Sequence, residues 1–171
     1  MKKKLAILLT AGASWAESPF AGRRADALDS ALWAKSQWIS AHDAPIITKK
    51  IADNDERAAD GASWFVTNIK NHKELSSIKW MTSGLGVYNL YINGKPVGEE
   101  ILKPGFTHYD KTKLSFTYDL TDAVSKNKGA ENSFAAQLTP GWWADKIITP
   151  WGSEGMNGKM VAFRSVIELT Y

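Results

Sequence analysis

Three tryptophans, Trp142, Trp143 and Trp151, fall within ten residues in the stretch LTPGWWADKIITPW (138–151), which Pro140, Gly141 and Pro150 interrupt. Large aromatics are usually placed where burial removes most area from water, so a loop this rich in indole needs a reason. Either it folds back as a lid over the core, or it presents flat apolar faces to a ligand. Sugar rings suit the second use. Their axial C–H faces pack on indole and phenol rings, while neighbouring carboxylates and amides take the hydroxyls. A second stretch, PGFTHYDK (104–111), has the make-up of PGWWADK (140–146): each opens Pro-Gly, carries aromatics and closes on an acid followed by Lys. The competing reading has Phe106, Tyr109 and one of the adjacent tryptophans closing the end of the core. On an extended segment Trp142 and Trp143 would point to opposite sides, so one ring of that pair is expected to be exposed.

Other chemistries find no pattern. His42, His72 and His108 are far apart and lack partners at metal-ligand spacing. DNDERAAD (53–60) resembles a calcium loop but lacks the Gly and the distal bidentate Glu; calcium gathered by groups from separate loops stays open. Ser83 in TSGLG has neither the Gly-x-Ser-x-Gly elbow nor a recognisable triad His. Gly84-Leu85-Gly86 lacks the third glycine and the helix of a phosphate loop. Glycoside hydrolysis needs two carboxyls ~5–9.5 Å apart across one bond. Nothing in the spacing of Glu99, Glu100, Asp110, Asp145 and Glu154 marks such a pair, so no catalytic residue is assigned.

The elements that must position these loops read as strands. The 171 residues suit one domain. Residues 1–16, with Lys2-Lys3-Lys4, an apolar run from Leu5 to Ala13 and Ser14-Trp15-Ala16, have the form of a secretory leader. The apolar run is too short to span a bilayer, and no later segment comes closer. Without cysteine there is no lipoprotein acceptor and no disulfide, so a periplasmic or secreted protein is expected. Taking the three leader lysines from the 21 basic residues leaves 18 against 18 acidic ones. That neutral balance, with no basic stripe, argues against a nucleic-acid partner.

Residues 17–36 read as a tether with one short helix, and 37–171 as the domain. Strand signals lie at 45–52, 63–70, 78–98, 114–120, 132–139 and 160–171, with one helical turn at 121–127 opened by Asp119 or Thr121. Asn93-Gly94 between Val87–Ile92 and Lys95–Val97 predicts a two-residue type I′ hairpin. Seven to nine short strands without interleaved long helices predict an all-β antiparallel sandwich. Residues 142–158 form a long loop without a pattern of its own, of the kind that is often functional. The chain stops at Tyr171 inside a strand-like run, which reads as the front piece of a longer protein.

SGLGVYNLYINGKPVGEEILKPGFTHYDKTKLSFTYDLTDAV followed by NSFAAQLTPGWW resembles the N-terminal β-sandwich domain of bacterial α-L-rhamnosidases of glycoside hydrolase family 78. The matching residues are Gly86, Tyr88, Tyr91, Asn93-Gly94, Pro104-Gly105-Phe106-Thr107, Tyr109, Tyr118-Asp119-Leu120-Thr121 and Gly141-Trp142-Trp143. QWISA (37–41) and APIITKKI (44–51) look like the entry strands. Phe106 stands where Trp is common in that family. The resemblance implies a jelly-roll-like, galactose-binding-like sandwich preceding a catalytic (α/α)₆ barrel that hydrolyses terminal α-L-rhamnose by inversion. The catalytic acids would lie in the barrel, so none is carried onto this chain. A related sandwich binds rhamnose with calcium, which brings Ca²⁺ into view without naming ligands here. On this reading the partners are a rhamnose-containing oligo- or polysaccharide and the chain's own barrel. Trp142, Trp143, Tyr109 and Trp151 stack on sugar, and Asp110 and Asp145 accept from hydroxyls. The alternative is a structural domain that packs on the barrel and touches no sugar; a complete small enzyme is the weakest reading.

Overall fold

The computed structural model describes residues 19–41, 62–144, 146–147, 153–154, 157–158 and 160–171. The leader and the strand expected at 45–52 lie outside them. Two four-stranded antiparallel sheets face each other. The first has the order β1 (Arg23–Arg24), β6 (Ser115–Asp119), β3 (Ser77–Leu85), β10 (Ala162–Thr170). The second runs β2 (Ser63–Lys70), β7 (Glu131–Thr139), β4 (Val87–Ile92), β5 (Lys95–Pro96), and β8 (Lys146–Ile147) pairs with β9 (Ser153–Glu154) as a separate two-stranded ribbon. The expected all-β sandwich is the observed architecture.

Alternation builds it. Along β7 the inward Asn132, Phe134, Ala136 and Leu138 are buried, and along β4 so are Tyr88, Leu90 and Ile92. The rings of the two sheets then interlock. Trp80 meets Phe134 edge-on at 5.3 Å between centroids, Tyr88 meets Phe163 at 5.6 Å, and Phe65 stacks on Phe163 at 5.7 Å. Such pairs add about 0.5–1.5 kcal/mol each beyond their burial. The polar atoms trapped inside have partners: the Trp80 indole N–H donates to Ser165, and Thr82 shares a 3.1 Å hydrogen bond with the Tyr88 hydroxyl.

The hairpin turn forms where expected, with Asn93 at φ 49° and Gly94 at φ 79°. Asn93 also ties the turn to β7. Its amide donates to Asn132 Oδ1 at 3.0 Å, and its carbonyl oxygen accepts from the Ser133 N–H at 2.8 Å. After β6 the expected single turn is present, closed by Ala123 N–H to Leu120 O. Asp119 opens it by accepting from Thr121 N–H at 2.9 Å, and hydrogen bonding from the Thr121 side chain and then its backbone lowers the Asp119 carboxyl below its ordinary value.

The segment read as a tether does carry its short helix, α1 (Ser30–Lys35), capped by Asp29. It is also laid across the outer face of the first sheet. β1 pairs with β6, Ile39 bridges to Phe163, and Arg164 of β10 donates to Ser36 Oγ and Trp33 O while stacking 4.4 Å from the Trp33 ring centre. Met81 and Thr117, cross-strand partners that point outward from this sheet, are buried as a result.

Two core tyrosines set an alkaline limit. Burial, above all, raises the Tyr88 and Tyr118 hydroxyls far above the ordinary value, and the Glu100 carboxylate that accepts the Tyr118 hydrogen bond raises that group further. Both stay protonated in the fold while the unfolded chain ionises near pH 10, so the native state binds more protons and stability falls as pH rises beyond that point. Lys103, whose value burial lowers, acts in the opposite direction just below the ordinary lysine range. The urea midpoint should therefore hold up to about pH 10 and drop steeply above it, at a rate approaching 1.4 kcal/mol per pH unit for each tyrosine. A midpoint unchanged between pH 9 and 11.5 would contradict this.

Candidate functional site

β7 delivers the chain to Pro140, and the next four residues coil. α2 (Gly141–Ala144) is a single helical turn closed by Ala144 N–H to Pro140 O at 3.2 Å, with Ala144 fully buried. This corrects the extended path assumed from sequence, and with it the expectation that one tryptophan of the pair is exposed. Successive residues of a helix project about 100° apart rather than to opposite sides, and both Trp142 and Trp143 are half-buried.

Their surroundings differ. Trp143 packs against the core and is held on three sides. Its indole N–H donates to Met160 O at 2.7 Å, the Tyr109 ring abuts it edge-on at 5.2 Å, and Gly158 lies flat on the ring. A methyl on Gly158 would sit 2.2 Å from Trp143 Cε2, so only glycine leaves room. Trp142 is anchored through its carbonyl, which accepts from Asn157 Nδ2 at 3.0 Å, and its ring stands 6.4 Å from Phe106. Phe106 meets Tyr109 edge-on at 5.7 Å.

The two Pro-Gly stretches singled out in the sequence thus converge into one cluster, ordered Trp142, Phe106, Tyr109, Trp143. Its inner half is closed. Tyr109 is 5% exposed, its hydroxyl donates to Gly105 O, and burial raises its ionisation above the ordinary value. It supports the cluster from beneath, and its ring has no open face for sugar. The outer half is open: Phe106 is 60% exposed. Sequence reasoning had Phe106 only as a closing residue. No spacing in PGFTHYDK separates residue 106 from residue 109, and the contact with Trp143 is what draws Tyr109 inward.

Asp110 is exposed on the rim next to Tyr109. Trp151 and Asp145 lie outside the described residues. Among the described residues, no three His, Cys, Asp or Glu gather as a metal-holding group.

The loop carrying Phe106 has a firm root. Lys103 is buried, and its ammonium donates to Val97 O at 2.9 Å and Glu100 O at 3.1 Å, while its carbonyl accepts from Tyr88 N–H. Glu100 accepts from Tyr118 at 2.8 Å and lies 3.6 Å from Arg24. The aromatic cluster is therefore carried between strand ends and a hydrogen-bonded lysine.

The profile of the family described as Alpha-L-rhamnosidase N-terminal domain matches residues 73–171, from the start of β3 through both loops of the cluster to the end of β10. The chain belongs to that family. An α-L-rhamnosidase of Alteromonas sp. (strain LOR) is 27% identical over 145 residues, 84% of this chain and 15% of the relative. The crystal structure of the α-L-rhamnosidase of Aspergillus terreus superposes with a TM-score of 0.67 at 20% identity, over 83% of this chain and 15% of that one. The Streptomyces avermitilis α-L-rhamnosidase, crystallised with L-rhamnose, gives a TM-score of 0.59 at 32% identity over 66% of this chain and 11% of that one. This rhamnosidase N-terminal domain thus spans about a sixth or less of the length of the curated relatives it matches. Among the described residues, no helix is long and apolar enough to cross a membrane.

Proposed function

We propose that this domain binds and guides rhamnose-containing glycan for an α-L-rhamnosidase, with Trp142 and Phe106 as the stacking surface and Asp110 as a hydroxyl acceptor at its rim. On this reading the hydrolysis of terminal α-L-rhamnose belongs to a catalytic domain of such an enzyme, and the leader-like form of residues 1–16 supports a periplasmic or secreted protein. The observation that carries the reading is the division within the aromatic cluster. Tyr109 is buried, the half-buried Trp143 is held by its indole hydrogen bond, and together they brace a 60% exposed Phe106 against Trp142. A half-desolvated, pre-ordered aromatic edge costs little to organise on binding, which is what a weak sugar site requires.

A second reading has an observation of its own. Ile101, 83% exposed, and Leu102 sit on the same loop as Phe106, and aliphatic groups favour a protein neighbour over sugar. On this reading the cluster packs on the catalytic domain.

Tryptophan fluorescence separates the two. Titrating the chain with L-rhamnose should give a saturable shift, and Trp142→Ala should abolish it while leaving the melting temperature within a few degrees. A flat titration of folded protein at high millimolar sugar would favour the packing reading.

A further inference from the structure

The two outer faces of the sandwich are unlike. Residues 23–39 run over that of the first sheet, whereas the outward positions of β2, β7 and β4 carry an open row of a different character. Register places Trp64, Gln137 and Asn89 side by side across the three strands. The next outward row is Val66, Ala135 and Tyr91. Trp64 is 52% exposed, and its ring lies 5.7 Å from that of Tyr91 with the planes tilted by 33°. Ala135, between Val66 and Tyr91, keeps the floor between the rings low.

Charge and hydrogen bonding narrow what such a face can take. From the Val87–Thr139 row to the Asn68–Ser133 row no outward side chain of these strands is Lys, Arg, Asp, Glu or His, in a chain that is 23% charged. The first charges on the face are Lys70 and Glu131, opposite one another at the far end. A nucleic acid, an acidic polysaccharide or a charged peptide would find no countercharge here. The Asn89 amide donates to Gln137 Oε1 at 3.3 Å, which fixes both side chains beside the indole. Among the described residues, the Asn89 carbonyl and the Gln137 amide hydrogens make no further bond, leaving an acceptor and donors aimed outward next to an aromatic face. Paired acceptors and donors flanking a tilted aromatic platform match a hydroxyl-rich, uncharged chain.

We infer that the outer face of the second sheet is a neutral-glycan platform, built on Trp64 and Tyr91 with Asn89 and Gln137 as its polar contacts. It is separate from the Trp142–Phe106 cluster and does not depend on it. It requires no metal and no conformational change, since the strands fix every contact.

Affinity gel electrophoresis of the whole chain tests it, with xylan, dextran or a neutral α-L-rhamnan cast in the gel and polygalacturonate as the charged comparison. At least one neutral polysaccharide should retard migration. Trp64→Ala should weaken that retardation about tenfold, and Asn89→Ala should weaken it measurably. Trp64 is an exposed edge-strand residue, so circular dichroism should show the variant folded, and Trp64→Phe should restore part of the effect. Retardation by none of the neutral gels, by polygalacturonate alone, or to an equal extent in Trp64→Ala would overturn the inference. So would a concentration-dependent dimer that Trp64→Ala abolishes without any glycan effect, since the face would then be a contact between copies.

Discussion

Gly86→Val should remove a large share of the stability of the fold. Gly86 is the single residue between β3, in the first sheet, and β4, in the second, so the chain changes sheets there with no slack. It does so at φ 136°, a region that side chains with a Cβ rarely enter. Space fails as well. An added Cβ would lie 2.3 Å from Thr139 O and 3.2 Å from a Leu138 methyl. The first of these is backbone, within the Val87–Thr139 pairing that joins β4 to β7, and cannot rotate away. Strain of about 1–3 kcal/mol and loss of the pairing at this corner together suggest about 4 kcal/mol or more. Against the roughly 5–15 kcal/mol of a typical domain that is a large share, equivalent to a fall in melting temperature on the order of 10–15 °C. Gly94→Ala is the control. Gly94 also has positive φ, 79°, but nothing lies within 4 Å of its added Cβ. It should cost only the turn preference, about 1 kcal/mol. Equal melting temperatures for the two variants would show that the crossing is looser than its geometry.

Gly94 and Gly86 also show what could be read from the sequence. The hairpin was legible because its chemistry is local: Asn-Gly between two apolar runs leaves few other turns, and both residues take the positive φ it needs. β6 was legible for the same kind of reason, since LSFTYDL alternates apolar and polar residues within one strand, and β2 was legible from its β-branched and aromatic residues. α2 was not. Four residues are too few to show a helical period, and the coil is fixed by Pro140 and by Gly141 seated against the Val87 side chain, 54 residues earlier. The cover on the first sheet was hidden too, because β1 consists of two exposed arginines whose only signal is the strand they pair with. Within the candidate site, the pairing of two Pro-Gly aromatic stretches could be seen as a likeness in composition. Which ring faces out could not, because Tyr109 is drawn in by Trp143 and Phe106 is left outside by the same packing.

That packing makes Gly158 the residue on which the site's order depends, and Gly158→Ala should uncouple it. The new methyl would fall 2.2 Å from two carbons of the Trp143 ring and 2.5 Å from its nitrogen. A flexible side chain could swing aside, but this ring is fixed by the Met160 carbonyl and by Tyr109, and relief in any direction breaks one of those contacts. Overpacking of this kind costs about 1–3 kcal/mol, and a lost indole hydrogen bond about 1 kcal/mol more. The sandwich core should survive, because Trp143 lies at its margin and the rings of Trp80, Phe134, Tyr88 and Phe163 are untouched. Near-ultraviolet circular dichroism should therefore lose its tryptophan signal in part while the far-ultraviolet spectrum is kept. The consequence for function follows from the order of the cluster. Trp143 braces Tyr109, Tyr109 braces Phe106, and Phe106 stands against Trp142. If this edge binds sugar, Gly158→Ala should weaken L-rhamnose binding about tenfold although residue 158 touches no ligand, and Gly158→Ala combined with Trp142→Ala should be no worse than Trp142→Ala alone. If the two losses instead add, the indoles act independently and the brace through Tyr109 carries nothing.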